Sequence, residues 1–418
     1  MSSKVKKNSM WLLGVILISY FIVGFPDGSF TVSWRGISED ISGMTTASMG
    51  YILVAYSITY TLAGIILSKL TRWMKLQAVY FWGLIIMALG FIGLALAPNF
   101  ALVVTGITIY GFGTGAMAAS MNSYMAKHFT ASQNNLMHFF WGGGAAISPI
   151  IMGRMMINHS WRTGYFVITA ILGVVAIILL ISMSRKIWIN DEDKGEGEQS
   201  ATETVTIKKR YLTRKWHQGL EILTFFFLGG TDYTLVFFMG SALIARGQET
   251  PISIGILSAV YYTAMTVGRL FFGIAAKWLK ELPIIRTGIA ISILGLAVVY
   301  FVQIDMRIPI PMITTLTFTS NVAGMALIGF GLGPLLPTLV SDTSNRFTPR
   351  ILSKLVGYEL AAFGAGIAAL FFLTSQILHF VSYEALFHLG LAFIILVFIC
   401  NEALAHALKK CNVGNELE

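Results

Sequence analysis

Long apolar stretches separated by short polar ones run the whole length of the chain. Roughly twelve of them reach the length of about 20 residues that a helix needs to span a bilayer. Strict alternation, the mark of a transmembrane β-barrel, is missing, and backbone polar groups in lipid must be paired within the protein, which leaves helices. The pattern predicts an all-α membrane protein with transmembrane helices near residues 11–35, 45–69, 76–97, 101–126, 133–157, 163–185, 217–245, 252–277, 284–304, 317–341, 351–377 and 384–408.

Composition and charge support a multi-pass protein and indicate its orientation. Of 418 residues, 56% are hydrophobic and 12% charged, and the mean hydropathy is +0.73, far from the values of soluble domains. The net charge of +9 does not indicate nucleic acid, because most of the 29 Lys and Arg residues lie in alternate loops. Positive charge marks the cytoplasmic side. We therefore expect a plasma-membrane protein with both termini in the cytoplasm.

The chain repeats itself, which indicates two similar halves. Residues 1–185 form a predicted amino-terminal six-helix bundle, 186–215 a polar cytoplasmic linker, and 216–418 a second six-helix bundle. An even number of helices separates matching positions, so the repeat is parallel, with its axis along the membrane normal. Such halves can rock about a central site. The matching pairs include Gly24 with Gly229, Asp27 with Asp232, Tyr56 with Tyr261 and Trp73 with Trp278.

Two acids within apolar stretches are the strongest candidates for chemistry. Asp27 lies in the segment 24–28 (GFPDG) of the first helix, and Asp232 ends the segment 229–232 (GGTD) of the seventh. A carboxylate in hydrocarbon is costly and should face a protein interior or a water-filled cavity. Because burial disfavours the charged form, both acids are candidates for loading and releasing protons. The alternative for each is a structural acid at a helix break or helix end.

The fifth predicted helix carries a polar and aromatic stripe. Asn135, His138 and Trp141 are spaced three apart and share one helix face. An amide, an imidazole and an indole suit a sugar, with hydrogen bonds for its hydroxyls and a plate for its apolar ring face. The alternative is that Asn135 caps the helix and Trp141 faces lipid. In the repeat, His138 matches Glu359, and we expect the two to face each other across a cavity, with Glu359 a further proton site.

Weaker candidates complete the set. Arg269 near the end of the eighth helix is expected to act as a conformational latch. Four more residues are candidate substrate contacts or, equally, interhelical and interfacial residues: Trp34, Asn122, Tyr262 and Asn321.

No cofactor is predicted. The seven His residues are scattered without ligand spacing, and no phosphate-binding loop occurs, so neither a metal nor ATP is expected. The glycine-rich runs 111–115 (GFGTG) and 329–333 (GFGLG) follow no strand and are typical of close helix packing rather than of nucleotide binding. Transport would then use an ion gradient. The expected coupling ion is a proton, with sodium as the alternative.

Twelve helices in two halves, with basic loops at 64–75 (GIILSKLTRWMK) and 268–280 (GRLFFGIAAKWLK), resemble the major facilitator superfamily. The segments 135–138 (NLMH), 267–269 (VGR) and 331–338 (GLGPLLPT) resemble its fucose permease-like branch of sugar:proton symporters. The resemblance implies that an acid of the first helix, here Asp27, is the proton site. It also implies an acid in the fourth helix, where this chain has Asn122. The proton path is therefore expected to differ.

These observations favour a secondary transporter that moves a small polar solute, most simply a sugar, with protons by alternating access. A proton-driven exporter of drugs or lipids is the alternative, and a membrane nutrient sensor that no longer transports is another. An enzyme is not expected, since no convergent nucleophile and base are evident. The expected partners are the solute and the bilayer, with no nucleic acid and no nucleotide.

The predicted orientation can be tested in the linker. In a background with both cysteines, Cys400 and Cys411, changed to serine, Ser200→Cys should react with a membrane-impermeant thiol reagent only after cells are permeabilised. Ser42→Cys, in a predicted external loop, is the matched control and should react in intact cells. Labelling of Ser200→Cys from outside intact cells would reverse the predicted topology.

Overall fold

The computed structural model describes residues 3–71, 73–129, 131–185, 187–189, 211–212, 214–249, 251–310 and 313–410. Within them, twelve helical segments are long and apolar enough to cross a membrane, so the predicted all-α architecture is confirmed. The helices are α1 (Ser3–Val23), α2 (Phe25–Asp40), α3 (Thr46–Leu70), α4 (Leu76–Leu96), α5 (Phe100–His128), α6 (Ala131–Asn158), α7 (Trp161–Ser184), α8 (Lys215–Ala245), α9 (Pro251–Ala275), α10 (Glu281–Phe301), α11 (Ser320–Leu332), α12 (Leu335–Arg346), α13 (Pro349–Phe380) and α14 (Ala385–Lys410).

Two of the twelve spans are broken. The first consists of α1 and α2, which meet at Gly24, and the tenth consists of α11 and α12, which meet at Gly333. A proline follows each break closely, Pro26 in the first and Pro334 in the second, and a proline has no amide hydrogen to continue a helix. The breaks also place backbone against backbone: a side chain at Gly24 would collide with the carbonyl oxygen of Trp141 on α6.

A short hairpin precedes the tenth span. Strands β1 (Asp305–Ile310) and β2 (Ile313–Thr319) pair antiparallel, with a bulge between Ile308 and Ile310. The tenth helix was expected from residue 317, but residues 313–319 (ITTLTFT) are rich in β-branched side chains and form the second strand. The helix begins at Ser320, where the Thr319 hydroxyl caps it by accepting from the amide of Val322.

The spans before and after the linker form two groups, which we call the N bundle (α1 to α7) and the C bundle (α8 to α14). The predicted linker, 186–215, lies largely outside the described residues; α7 ends at Ser184 and α8 begins at Lys215. The exact domain limits stay a prediction. Because the described spans are even in number, α1 begins and α14 ends at the same face. We call that face the terminal end, and the face that carries the β1–β2 hairpin the hairpin end.

The two bundles meet near the hairpin end. There α3 packs on α13: the hydroxyls of Thr46 and Tyr383 are hydrogen-bonded at 2.6 Å, and Gln376 donates to the carbonyl oxygen of Ala47 at 3.3 Å. The α6 and α9 helices also pack together, with Gly255 against the backbone of Pro149. These contacts join the two bundles at the hairpin end, and Asp27 lies about halfway along the first span.

Close packing at Gly24 predicts a measurable difference between two glycines of the same span. Gly24→Ala should lower the free energy of unfolding by about 1 to 3 kcal/mol, the usual cost of overpacking, since the added carbon collides with backbone that cannot move aside. Gly14→Ala is the control, because nothing lies within 4 Å of the position its carbon would take. Thermal unfolding in detergent compares the two. Equal stability of both variants would show that the α1–α2 junction does not pack as described.

Candidate functional site

Asp27 lies where the first span breaks, between the two bundles. It occupies the first turn of α2, where the free amide groups of a helix start favour a negative charge. Its Oδ2 accepts a hydrogen bond from Trp141 Nε1 of α6 at 3.1 Å. Its backbone carbonyl oxygen accepts one from the Tyr262 hydroxyl of α9 at 3.4 Å. One acid is therefore tied to both bundles.

A small cavity of about 30 Å³ opens beside Asp27. It has room for a water molecule rather than for a sugar. Most of its polar groups are tyrosine hydroxyls, and both bundles contribute to the wall. The lining residues are Pro26, Asp27, Phe30, Ile52, Leu53, Tyr56, Ile107, Tyr110, Tyr233 and Phe237.

Stacked aromatic rings form the wall of this cavity. Tyr56 lies against Tyr110 with ring centroids 5.1 Å apart, and Tyr233 lies against Phe237 at 5.7 Å. Phe30 of the N bundle meets Phe237 of the C bundle at 6.0 Å. The sequence analysis did not predict Tyr110 or Tyr233 as part of the site. Of these three tyrosines, it noted only Tyr56, because Tyr56 matches Tyr261 in the repeat. Aromatic plates with hydroxyl edges bind molecules that have both apolar faces and polar groups.

A second polar pair lies on the N-bundle side of Trp141. His138 Nε2 is 3.2 Å from Oδ1 of Asn122, which joins α6 to α5. The His138 ring also meets the Tyr20 ring edge-on, at 6.0 Å. The predicted stripe thus brings His138 and Trp141 to the same region as Asn122, while the side chain of Asn135 lies outside the described part of the chain.

Asp232 and Arg269 form the C-bundle side of the site. The Tyr261 hydroxyl donates a hydrogen bond to Oδ1 of Asp232, and Arg269 is close enough to act on this carboxylate electrostatically. Arg269 Nε donates to the carbonyl oxygen of Gly333, at the break of the tenth span, at 3.1 Å. Its guanidinium carbon lies 5.8 Å from the ring centroid of Trp141, a cation–π contact between the bundles.

Two predicted substrate contacts lie elsewhere. Trp34 is buried in the N-bundle core beside Phe30, at a centroid distance of 6.2 Å. Asn321 lies at the hairpin end, where its Nδ2 donates to Glu249 at 2.9 Å and ties α11 to the loop before α9. Neither borders the cavity at Asp27.

Glu359 does not face His138, as the repeat had suggested. It is fully buried within the C bundle, and its Oε1 is 3.0 Å from the Thr343 hydroxyl of α12. The expected pairing is not seen, because Glu359 packs against Thr343 of α12 whereas His138 packs against Asn122 of α5. Among the described residues, no group of three or more His, Cys, Asp or Glu side chains could hold a metal ion.

The sequence of this chain is similar to a family of known proteins and to several of their members. The family model described as Major Facilitator Superfamily matches residues 16–326. The uncharacterized MFS-type transporter YbcL of Bacillus subtilis (strain 168) is 23% identical over 288 residues, which cover 65% of this chain and 67% of YbcL. The hexuronate transporter of the same strain is 23% identical over 271 residues, 63% of each chain. The multidrug efflux pump SdrM of Staphylococcus aureus (strain N315) is 24% identical over 179 residues, 42% of this chain and 39% of SdrM.

Solved structures share the fold. A bacterial homolog of the human lysosomal transporter Spinster, in an inward-facing and unoccupied conformation, superposes with a TM-score of 0.69 at 12% identity, covering 98% of both chains. A mutant of the nucleoside transporter NupG gives a TM-score of 0.68 at 13% identity, covering 96% of this chain and 100% of that one. At these identities the likeness establishes the architecture alone.

The geometry predicts which aromatic and polar side chains bind a solute. His138→Ala and Trp141→Ala should each weaken solute binding by about 1 to 3 kcal/mol through lost hydrogen bonds and stacking. Trp82→Ala is the control, since Trp82 is 53% exposed on α4, away from Asp27. A neutral hexose and a hexuronate serve as probes in calorimetric titrations of the purified protein. Unchanged affinity in both site variants would show that His138 and Trp141 do not bind the solute and serve only in packing.

Proposed function

The chain belongs to the Major Facilitator Superfamily, and from this premise we propose that it is a proton-coupled symporter of a small sugar or similar polar solute. Family membership makes it a transporter of the membrane and not an enzyme. Proton coupling, the class of solute and the likeness to the fucose permease-like branch belong to the proposal. So do its place in the plasma membrane and its cytoplasmic termini.

The observation that carries the proposal is the position of Asp27. Its carboxyl group lies at mid-span, between the bundles, accepts a hydrogen bond from Trp141 and forms no ion pair with any residue that the structure describes. An uncompensated charge in a closed, dry site costs several kcal/mol. The bundles can therefore close around Asp27 readily only after it takes up a proton. Such a requirement is what couples proton movement to alternating access.

Trp141 supplies a physical link between the proton and the solute. Its indole N–H is directed at Asp27, while its ring lies near the Arg269 guanidinium of the other bundle. A sugar ring stacked on this indole would displace Arg269 from the ring or change the hydrogen bond to Asp27. Binding of solute and of proton would thus influence each other, and Arg269 would act as the latch that holds the bundles together without solute.

The polar groups around Trp141 suit a hydroxylated solute. His138, Asn122 and the tyrosine hydroxyls offer hydrogen bonds, and the aromatic rings offer plates. The similarity to a hexuronate transporter supports a polar solute with hydroxyl groups. Arg269 would suit an acidic group on such a solute.

A drug exporter is the second candidate. The aromatic wall of the cavity would also accept a greasy, flat molecule, and SdrM is similar over 179 residues. The direction of transport separates the two functions. A symporter uses an inward proton gradient to accumulate its solute, whereas a proton-driven exporter uses the same gradient to expel its solute. Repeating uptake with sodium in place of a proton gradient tests the coupling ion.

The contacts between α3 and α13 support a conformation that is closed at the hairpin end. With cytoplasmic termini, this conformation faces inward. The cavity at Asp27, about 30 Å³, would then be the closed floor of the solute pathway and would enlarge as solute enters.

The proposal predicts that Asp27→Asn separates proton coupling from solute movement. The amide mimics the protonated acid in shape and neutrality, so reorientation no longer waits for a proton. The variant should lose gradient-driven accumulation and pH dependence, yet retain binding and exchange between equal pools. Counterflow and proton-driven uptake in proteoliposomes measure both properties with the same labelled hexose or hexuronate.

Asp232→Asn is the matched variant in the other bundle. Asp232 lies inside the continuous helix α8 and accepts from Tyr261, so its loss should reduce accumulation less. An Asp27→Asn protein that still concentrates solute at a pH-dependent rate would move the coupling site elsewhere.

A further inference from the structure

A second group of charged side chains is buried in the C bundle, toward the terminal end. It has no contact with Trp141 or with the cavity at Asp27. Four helices contribute to it, and each member is shielded from solvent. The members are Glu221 of α8, Asp342, Thr343 and Arg346 of α12, Glu359 of α13 and Asn401 of α14.

Arg346 is the one cation of this cluster, and other groups occupy its hydrogen-bond donors. Nη1 donates to Oε2 of Glu221 at 3.0 Å. Nη2 is 2.5 Å from Oδ2 of Asp342 and donates to Oδ1 of Asn401 at 2.5 Å. Two carboxylates already flank the guanidinium. Glu359, the third acid, has no ion pair with it.

The contacts of Thr343 indicate the state of Glu359. Three acceptors surround its hydroxyl: the carbonyl oxygen of Leu339 at 3.1 Å, Oε1 of Glu221 at 3.4 Å and Oε1 of Glu359 at 3.0 Å. A hydroxyl has one proton and can donate to only one of them. Oε2 of Glu359 is buried and has no hydrogen-bond partner among the residues that the structure describes. An ionised Glu359 would therefore lack both a cation and enough donors.

We infer that Glu359 binds a proton in this conformation, as a site separate from Asp27. A neutral carboxylic acid donates its proton to the Thr343 oxygen, and the Thr343 hydroxyl remains free to donate to Leu339 or Glu221. The cluster then holds two carboxylates, one guanidinium and one neutral acid. This assignment removes the third negative charge from a largely buried site.

The surroundings of Glu359 on each neighbouring helix agree with this assignment. The charged groups nearest to it are Glu221 of α8, which shares the Thr343 hydroxyl with it, and Arg346 of α12, which pairs with Glu221 and with Asp342. On α8, His217 lies one turn before Glu221, and α14 presents the uncharged Asn401. The remaining neighbour, α3, packs on the other half of α13, at residues such as Phe372 and Gln376.

Loss of this proton would place three carboxylates around one guanidinium. Repulsion and the need for hydration would loosen the packing of α12 on α13 at the terminal end. The same cluster anchors the chain that enters the C bundle, because the amide of Leu212 donates to the carbonyl oxygen of Arg346 at 2.7 Å. Stability of the C bundle should therefore be present at low pH and fall as the pH rises through the titration of Glu359.

Infrared spectroscopy tests the proton directly. The background is Asp27→Asn with Asp232→Asn, so that the result does not depend on the proposed coupling site. In this background the protein should show a carbonyl band from a buried carboxylic acid, shifted by deuterium exchange. Glu359→Gln should remove the band, and Glu402→Gln should retain it, since Glu402 forms a partly exposed ion pair with Arg286.

Thermal unfolding of the same proteins at several pH values completes the test. Glu359→Gln should fold, keep the low-pH melting temperature and lose the decline at high pH. Glu221→Gln should lower the melting temperature at every pH, because it leaves the buried Arg346 short of a partner. The inference is overturned if the carbonyl band survives Glu359→Gln, or if Glu359→Gln destabilises the protein at low pH as much as Glu221→Gln does.

Discussion

The cost of burying a carboxylate in the membrane shapes this molecule more than any other constraint. Asp27 lies where four features reduce that cost: a helix start, an indole donor from Trp141, a cavity of about 30 Å³ and a second bundle close by. Each depends on a specific local sequence. Pro26 ends the regular helix, and Gly24 lets the break rest on the backbone of α6. The acid and the contact between the bundles therefore occupy one place.

The two halves of the repeat use their acids differently, and the difference has a local cause. Position 26 is a proline, whereas its counterpart, position 231, is a threonine whose hydroxyl donates to the backbone within α8. The first span consequently breaks, while α8 continues unbroken from Lys215 to Ala245. Asp27 therefore lies at a helix start and accepts a hydrogen bond from the Trp141 indole, whereas Asp232 accepts one from the Tyr261 hydroxyl. The repeat thus has one acid at the contact between the bundles and one held within its own bundle.

The sequence predicted the spans because membrane length and hydropathy depend on neighbouring residues alone. The same local information singled out Asp27, Trp141 and His138 as candidate site residues, because polar groups are rare in apolar helices. It paired Glu359 with His138, whereas the structure places Glu359 beside Thr343. It also gave no sign that Arg346 is buried, because Arg346 lies beyond the predicted span 317–341, in a basic loop. Which groups meet across four helices depends on helix rotation and tilt. These are set by packing between distant segments and leave no local pattern, as the unexpected aromatic wall at Tyr110 and Tyr233 also shows.

The central claim is that neutralising Asp27 releases the bundles to move. Electron paramagnetic resonance distances between spin labels at Trp73 and Trp278, which are 87% and 77% exposed at the terminal end, measure this motion without a solute. A second pair at Pro98 and Gln303 reports on the hairpin end. We predict that, in a Glu359→Gln background, both distances change between acidic and alkaline buffer, and that adding Asp27→Asn keeps the acidic distribution at every pH. A full pH response in Asp27→Asn would contradict the account.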